Sequence, residues 1–247
     1  MIFLRLKSGI ISDLGAINLG IFEPPIEKYV KSVTRNFDGK IGELQEYAYQ
    51  KNFPVIEPQT AKFISTLLAA LRPKDILEIG CCIGFSAGLM SNFLAPGGHI
   101  TTIERYDVMI TKAKENFDKY GWNDKITLLE GDAGNILKSL DKRFDFIFMD
   151  AAKGQYLRFL PDCLRVLNVG GLLLADDILK DGYLAMDRFQ VPRRQRTTHK
   201  RMQEFVHAVT NTDGIEASIV TVGKGLVMCT KLCDDISINT EGFEYID

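Results

Sequence analysis

The stretch Glu78-Ile79-Gly80-Cys81-Cys82-Ile83-Gly84-Phe85-Ser86 decides the fold, because an apolar run ends in it, two spaced glycines follow and an amphipathic run then begins. Glycine lets the backbone turn tightly and approach a ligand closely. A helix that begins here would also offer unpaired N–H groups at its first turn. The stretch therefore predicts a strand, a tight turn and a helix, with a ligand at the turn. A tight turn without a ligand is the alternative.

Beyond this stretch, short apolar runs alternate with longer amphipathic ones, and nearly continuous apolar runs are typical of parallel strands covered by helices on both faces. The predicted strands are Asp75–Gly80, His99–Glu104, Ile126–Gly131, Phe144–Asp150 and Gly171–Asp177. The predicted helices are Phe85–Leu94, Val108–Tyr120, Asn135–Leu140 and Tyr156–Leu167. This alternation predicts an α/β doubly wound sheet.

The two ends of the chain depart from this alternation. Near the end, Glu216–Val222 and Leu226–Lys231 are apolar runs joined by Gly223-Lys224-Gly225. They predict an antiparallel hairpin that brings the sheet to about seven strands. Near the start, Glu23–Phe37 and Ile41–Lys51 predict two helices that either cover the open end of the sheet or contact a second subunit.

Composition sets broad limits on the kind of protein. The 247 residues include 30 Lys and Arg against 32 Asp and Glu, and 46% are hydrophobic, which is ordinary globular composition. No apolar run approaches the ~18–20 residues of a transmembrane helix. Arg5 and Lys7 interrupt the apolar start, so no secretory signal is predicted. We expect an N-terminal helical segment (1–55), a main domain (56–233) and a tail (234–247).

The five cysteines predict a reduced, cytoplasmic protein, because their number is odd and Cys81 and Cys82 are adjacent. Cys229 and Cys233 lack the CxxC spacing of a zinc site, and the three histidines are far apart in the sequence. Any metal is therefore expected to bind oxygen ligands.

An acidic residue marks a nucleotide-like cofactor. Glu104 ends the second predicted strand, twenty positions after Gly84, where α/β folds place a partner for ribose hydroxyls. The turn lacks the middle glycine of a GxGxxG motif, which disfavours a diphosphate. We therefore expect a cofactor with ribose and adenine but no phosphates. Asp132 follows the third strand and could accept from the adenine amine, although Gly-Asp pairs are also common turns.

Three carboxylates are expected at one edge of the sheet. Asp150 ends one predicted strand and Asp176-Asp177 end the next, and ligands of such sheets bind at the carboxyl ends of strands. Their mutual repulsion favours a cation, and oxygen ligands select Mg²⁺, Mn²⁺ or Ca²⁺. The alternative is that Asp177 caps a turn while Asp150 pairs with a lysine.

Lys153 follows Asp150 by three residues. A divalent ion beside it would lower its pKa and let it act as a base, whereas by itself it would be an ordinary surface lysine.

A basic cluster follows the last of these carboxylates and leads into the last predicted helix. It either binds phosphates of an acceptor or forms a solvated face. Its members are Arg188, Arg193, Arg194, Arg196, Lys200 and Arg201.

Taken together, these motifs resemble the metal-dependent O-methyltransferases of the catechol and caffeoyl-CoA type, which use S-adenosylmethionine (SAM). The resemblance covers about Tyr29 to Lys231. It rests on Leu77-Glu78-Ile79-Gly80, Gly84-Phe85-Ser86, Thr102-Ile103-Glu104, Phe148-Met149-Asp150-Ala151-Ala152-Lys153, Leu174-Ala175-Asp176-Asp177 and Val222-Gly223-Lys224-Gly225.

The resemblance implies a Rossmann-like SAM methyltransferase with a mostly parallel seven-stranded sheet, helices on both faces and a C-terminal antiparallel hairpin. It implies Mg²⁺ (or Mn²⁺ or Ca²⁺) on Asp150, Asp176 and Asp177, and catalytic roles for Lys153 and Asp150. The residues expected to contact SAM are Ile56, Glu78, Gly80, Cys81, Ser86, Glu104, Asp132, Ala133, Asp150 and Ala152.

One position departs from the family, which usually has Asp-Asn where this chain has Asp176-Asp177. A third carboxylate would tighten metal binding but would also raise the pKa of the acceptor. We therefore expect Asp177→Asn to keep or improve activity and Asp177→Ala to lose the metal.

Within the family, Asp150-Ala151-Ala152-Lys153-Gly154-Gln155-Tyr156 and the arginine-rich stretch look most like bacterial tRNA 5-hydroxyuridine methyltransferases. This resemblance implies 5-hydroxyuridine in tRNA as the acceptor, bound through Arg193, Arg194 and Arg196, and a homodimer that contacts no membrane. A small catechol-like or phenolic acceptor is the alternative. A non-catalytic SAM- or RNA-binding protein and a nicotinamide-dependent dehydrogenase are remoter alternatives.

Overall fold

The computed structural model describes residues 24–243, in which eight α-helices surround one seven-stranded sheet. The helices are α1 (Pro24–Val33), α2 (Gly39–Gln50), α3 (Pro58–Leu71), α4 (Phe85–Ser91), α5 (Asp107–Tyr120), α6 (Ala133–Ser139), α7 (Tyr156–Val166) and α8 (Arg196–Asn211). The strands are β1 (Asp75–Ile79), β2 (His99–Glu104), β3 (Ile126–Glu130), β4 (Phe144–Met149), β5 (Leu167–Ala175), β6 (Ile215–Val220) and β7 (Leu226–Lys231). Short 3₁₀ helices span Lys153–Gln155, Lys180–Ala185 and Arg193–Gln195.

The sheet confirms the predicted topology. Its strand order is β3-β2-β1-β4-β5-β7-β6, with β1 to β5 parallel and β7 antiparallel to both of its neighbours. Ile79 pairs with both Ile103 and Met149, and Met149 pairs with Ala175. The loops that follow β1, β2, β4 and β5 therefore meet at one edge, where ligands of such sheets bind.

The core lies on both faces of the sheet. Successive side chains of a strand point to opposite faces, so Phe146 and Phe148 of β4 pack towards α2 to α5, while Ile147 and Met149 pack towards α6 to α8. All four side chains are fully buried, and burial of each contributes about 1.5–3 kcal/mol. A strand buried on both faces has few polar positions, which explains the nearly continuous apolar runs in the sequence.

Three element boundaries differ from the sequence prediction by three or more residues. Strand β5 begins at Leu167, not at Gly171, because Leu167 pairs with Phe144 before a register shift carries the strand past its glycines. Helix α4 ends at Ser91, where the Asn92 side chain bonds to the last helical carbonyls. Helix α1 ends at Val33, before the predicted Phe37, and Glu23 lies outside the described residues.

The part of the tail within the described range contains no helix or strand, but it packs against the domain. Ile236 and Ile238 contact the core on the α7 and α8 side, and the Asn239 amide donates to the Thr212 hydroxyl at 2.9 Å. Across residues 24–243, no helix has both the length and the apolar character needed to cross a membrane.

Candidate active site

A cavity of about 430 Å³ opens at the edge where β1, β2 and β4 end. Nine of the ten side chains or turns expected to contact SAM line it. They are Ile56, Gly80, Cys81, Ser86, Glu104, Asp132, Ala133, Asp150 and Ala152. Their convergence follows from the parallel strands, whose ends all face the same edge.

Gly80 allows the end of β1 and the residues after β4 to lie close together at this edge. Its φ is +104°, and a Cβ there would lie 2.1 Å from the Asp150 carbonyl oxygen, so no other residue fits without moving β4. The Gly80 and Cys81 amides both donate to the Ile103 carbonyl, at 3.0 and 3.1 Å. The turn after β1 is thus fixed to both neighbouring strands.

Glu104 is held in place by the backbone around it. Its Oε2 accepts from the Cys82 amide at 2.9 Å, and its Oε1 accepts from the Arg105 and Tyr106 amides at 2.8 and 2.9 Å. A carboxylate has about four acceptor positions, so it retains capacity for a ligand hydroxyl at the cavity wall.

Glu78 lies beneath the cavity wall and does not line the cavity. It is fully buried, and the Thr102 hydroxyl donates to its Oε2 at 2.5 Å. Burial raises the pKa of Glu78 to about 7, with the Ser86 and Thr102 hydroxyls opposing the shift in part. Glu78, the tenth residue expected to contact SAM, thus lies behind the residues that form the cavity wall.

Asp132 supports the neighbouring helix as well as lining the cavity. Its Oδ1 accepts from the Gly134 amide at 3.0 Å and caps α6, so α6 begins at Ala133 and not at the predicted Asn135. The Arg105 guanidinium lies 3.8 Å from its Oδ2. Asp132 thus forms the turn that the sequence offered as the alternative, and it also lines the cavity.

Two thiols also face the cavity, those of Cys81 and Cys82. Burial raises the pKa of Cys81 well above its usual value and that of Cys82 to about 12. Both thiols are therefore protonated near neutral pH.

Lys153 lies between two of the predicted metal ligands. Its Nζ is 2.7 Å from Asp150 Oδ1 and 3.6 Å from Asp177 Oδ2. Burial lowers the pKa of Lys153, but Tyr156, Asp150 and Asp177 outweigh that effect, so the pKa is raised. These neighbours hold Lys153 as an ammonium, and the lowering expected beside a divalent ion is a separate effect that depends on that ion.

Asp176 and Asp177 follow β5 in a tight arrangement. Asp176 is 6% exposed, its Oδ1 accepts from the Asp177 amide at 2.6 Å, and burial followed by the charge of Asp150 raises its pKa to about 7. Asp177 has φ +59°, a left-handed conformation that Asn and Asp adopt far more often than other non-glycine residues. The backbone thus favours either residue at this position.

The three carboxylates offer oxygen ligands, which are the type that a hard divalent ion prefers. An added cation would also stabilise the ionised form of a buried acid whose pKa is raised. The described residues do not, however, bring three His, Cys, Asp or Glu side chains together closely enough to hold one. Lys153 instead pairs with Asp150, as the alternative from the sequence had it.

Tyr156 has a structural role that the sequence analysis missed. Its buried hydroxyl lies 3.1 Å from the Met149 carbonyl and 3.2 Å from the Asp176 carbonyl, and it accepts from Lys153 Nζ at 3.1 Å. It thereby connects the ends of β4 and β5 to the lysine. The three-residue spacing from Lys153 on one helical turn was the available signal.

A second cavity, of about 30 Å³, lies beyond Lys153 and Asp177. That is room for about one water molecule. The other residues that line this cavity belong to the segment after β5, to α8 and to the turn that precedes α8. These residues are Ile178, Tyr183, Leu184, Gln195, Thr198, His199 and Met202.

The arginines are close to this second cavity but do not form one uniform patch. Arg193 and Arg194 are exposed and precede Gln195, which lines the cavity. Arg196 donates from Nε to the Val191 carbonyl at 3.0 Å and so stabilises its own loop. Arg201 donates to the Gly154 carbonyl at 3.3 Å, next to Lys153.

Comparison with known proteins identifies the family. The family model described as O-methyltransferase matches residues 32–232. A caffeoyl-CoA O-methyltransferase of Populus kitakamiensis is 29% identical over 178 residues, covering 70% of this chain and 76% of that protein. A catechol O-methyltransferase of Niastella koreensis is 27% identical over 212 residues, covering 83% and 95%.

Among solved structures, the S-adenosylhomocysteine (SAH)-bound Podospora anserina methyltransferase PaMTH1 superposes with a TM-score of 0.76. It is 24% identical, and the match covers 90% of this chain and 99% of that one. The fold of this chain thus has a counterpart in a methyltransferase. The chain belongs to the O-methyltransferase family and has the fold of a SAM-dependent methyltransferase.

Proposed function

We propose that this SAM-dependent O-methyltransferase methylates a hydroxyl that has a second oxygen beside it, in a small catechol-like acceptor. The observation that carries the proposal is the position of Lys153 and Asp177, which line both cavities. An acceptor that enters at the smaller cavity by displacing its lining side chains would meet SAM in the larger cavity at these two residues.

The donor side matches SAM in size and polarity. Glu104 would accept ribose hydroxyls, and the size of the 430 Å³ cavity supports a ligand made of a nucleoside joined to an amino acid. The Gly80 turn leaves the floor of the cavity open to close contact. Asp132 and Ala133 would lie at the adenine end.

The reaction is an in-line displacement in which the acceptor oxygen bonds to the methyl carbon as the carbon–sulfur bond breaks. It needs a deprotonated oxygen about 3–3.5 Å from the methyl carbon. The Lys153 ammonium would stabilise that oxyanion by its charge, and the Tyr156 hydroxyl holds the ammonium in place. The Asp150 carboxylate accepts a hydrogen bond from the same ammonium and so limits its movement.

A divalent ion is part of the proposal. Asp150, Asp176 and Asp177 would hold it through carboxylate oxygens, which requires them to move closer together and to release Lys153. When bound, such an ion favours the deprotonated form of a chelated hydroxyl. The raised pKa of Asp176, which reflects its burial and the neighbouring Asp150 charge, supports an added cation here.

The second candidate acceptor is 5-hydroxyuridine in tRNA, which also offers adjacent oxygens. Exposed Arg193 and Arg194 beside the small cavity favour it, since phosphate contacts supply much of the affinity for nucleic acid. The internal contact of Arg196 reduces the predicted patch, and the names of the relatives favour the small acceptor.

The test is transfer of labelled methyl from SAM to a catechol panel and to bulk tRNA, with and without EDTA. We expect label in a catechol that EDTA abolishes and excess Mg²⁺ restores. Label only in tRNA, lost when Arg193 and Arg194 are both changed to Ala, would establish the second candidate. Absence of transfer to either class, with SAH bound normally, would overturn the proposed reaction.

We also propose that the chain forms a homodimer through α1. Ile26, Tyr29, Val30 and Val33 recur at helical spacing on this helix and are 37–67% exposed. A continuous apolar stripe of this kind is typical of an interaction surface. Light scattering should give a dimer mass for the native chain and a monomer mass for Tyr29→Asp. A native monomer would contradict the proposal.

A further inference from the structure

The turn between β6 and β7 contacts the acceptor side of the active site. This hairpin turn, Val222–Gly225, accepts two backbone hydrogen bonds from the segment after Asp177. The Ile178 amide donates to the Gly225 carbonyl and the Leu179 amide to the Lys224 carbonyl, both at 3.0 Å. The residues immediately after the Asp176-Asp177 pair are therefore fixed to the turn.

The same turn contacts the donor side. Gly223 packs on Thr60, and a Cβ at Gly223 would lie 2.2 Å from the Thr60 hydroxyl oxygen. Thr60 is 1% exposed in the first turn of α3, and Ile56, four residues before it, lines the donor cavity. The hairpin turn therefore bonds to Ile178, which lines the smaller cavity, and packs on the first turn of α3, which follows Ile56 of the donor cavity.

Both glycines of the turn are required by conformation and by space. Gly223 has φ +57° and Gly225 has φ +84°, values that favour glycine. A Cβ at Gly225 would lie 2.4 Å from Leu179 Cγ, so a larger residue would push Leu179 away.

The contact with the acceptor side also explains how Asp177 keeps its left-handed backbone. Such a conformation persists only where the surrounding structure fixes it. The amides of the next two residues are both bonded to the hairpin turn. Losing those bonds would free the backbone at Asp177 and move its carboxylate relative to Lys153.

We propose that the hairpin turn sets the separation between the donor wall and the Asp176-Asp177 pair, with Gly223 and Gly225 as positioning residues for methyl transfer. The inference rests on the proposed function, in which Asp177 meets the acceptor. Displacement by about 1 Å from a mutation remote from the chemistry is enough to cost about 100-fold in rate.

The test compares Gly225→Ala with Gly170→Ala, both in the full-length chain. Gly170 has φ +80° with nothing within 4 Å of a Cβ, so the control adds the same backbone strain without a clash. For Gly225→Ala we expect hydrogen exchange at Ile178 and Leu179 at least ~10-fold faster, SAH affinity within ~3-fold of native, and kcat about 100-fold lower. Gly170→Ala should leave all three readouts within ~3-fold of the native values.

Gly223→Ala is the second variant, because its clash is with Thr60 on the donor side. It should weaken SAH binding about 10-fold by calorimetry and leave the amides of Ile178 and Leu179 protected. Equal effects of both variants on SAH affinity, unchanged exchange in Gly225→Ala, or matching effects of Gly170→Ala would overturn the inference. Exchange and SAH binding require no acceptor, so they test the turn even where the native enzyme methylates nothing.

Discussion

The donor and acceptor sides of the active site are built in different ways. The donor side is a cavity of about 430 Å³ whose key carboxylate, Glu104, is fixed by three backbone amides. The acceptor side encloses about 30 Å³, and its charged groups pair with one another through Lys153. The donor site is thus formed in advance, whereas an acceptor has to displace side chains and compete with an ion pair.

The largest expected effect is on the acceptor side. Lys153→Met should lower kcat about 1,000-fold, because it removes the charge that stabilises the acceptor oxyanion. SAH affinity should stay within ~5-fold of native in calorimetry, and the exposed Lys138→Met serves as the control. A variant that loses SAH binding as severely as kcat would show that the two sides are not separable.

The buried acid of the donor side predicts a dependence of stability on pH. The pKa of Glu78 is about 7 when folded and 4.5 as its ordinary value, so the native state binds more protons between these values. Stability should therefore fall as pH rises from about 4.5 to 7, by on the order of 3 kcal/mol at most. Urea unfolding at pH 5 and pH 8 should show a loss in the native protein and a smaller loss in Glu78→Gln, in which the raised pKa of Asp176 still contributes. Identical pH dependence of the two proteins would refute the assignment.

Glu104→Gln tests whether SAH binding depends on the negative charge of the Glu104 carboxylate. Loss of charge-assisted hydrogen bonds should weaken SAH binding by about 1.5–3 kcal/mol, or roughly 10- to 100-fold. The matched control is Glu130→Gln at the end of β3, where the side chain pairs with Lys114 at the surface. Retention of native SAH affinity in Glu104→Gln would place the ribose elsewhere.

The smallest effect is expected at Asp177. Asn suits its left-handed backbone as well as Asp does, so Asp177→Asn should bind Mn²⁺ and retain or exceed native activity, with stability within ~0.5 kcal/mol. Asp177→Ala should lose the metal and, because of the left-handed backbone, roughly 1–2 kcal/mol of stability. Calorimetric titration with Mn²⁺ and thermal unfolding measure both. Failure of the Asn variant to bind Mn²⁺ would contradict the expectation.

Positions set by the backbone could be predicted from the sequence, whereas interactions among side chains of separate segments could not. Gly80, Glu104, Asp150 and Asp176 were placed at one edge because the ends of parallel strands coincide, which is a property of the backbone. The direction of the Lys153 pKa shift was not predictable, since it depends on distances among side chains from separate segments.

Two side-chain contacts were also not predictable from the sequence. Tyr156 connects β4, β5 and Lys153 through one hydroxyl, and Arg196 bonds to its own loop. Both depend on tertiary placement that neither periodicity nor composition encodes. The bulge that lets β5 begin at Leu167 is similar, because it depends on the register with β4.

The two cysteines of the donor cavity bear on the chemical durability of the enzyme. A sulfonium is an alkylating agent towards any nucleophile within reach, and a thiolate is among the strongest nucleophiles in proteins. Burial raises the pKa of Cys81 and raises that of Cys82 to about 12, so both thiols stay protonated near neutral pH and are poor nucleophiles. With SAM bound in this cavity, as proposed, the burial that shapes the pocket would also protect it from methylating itself.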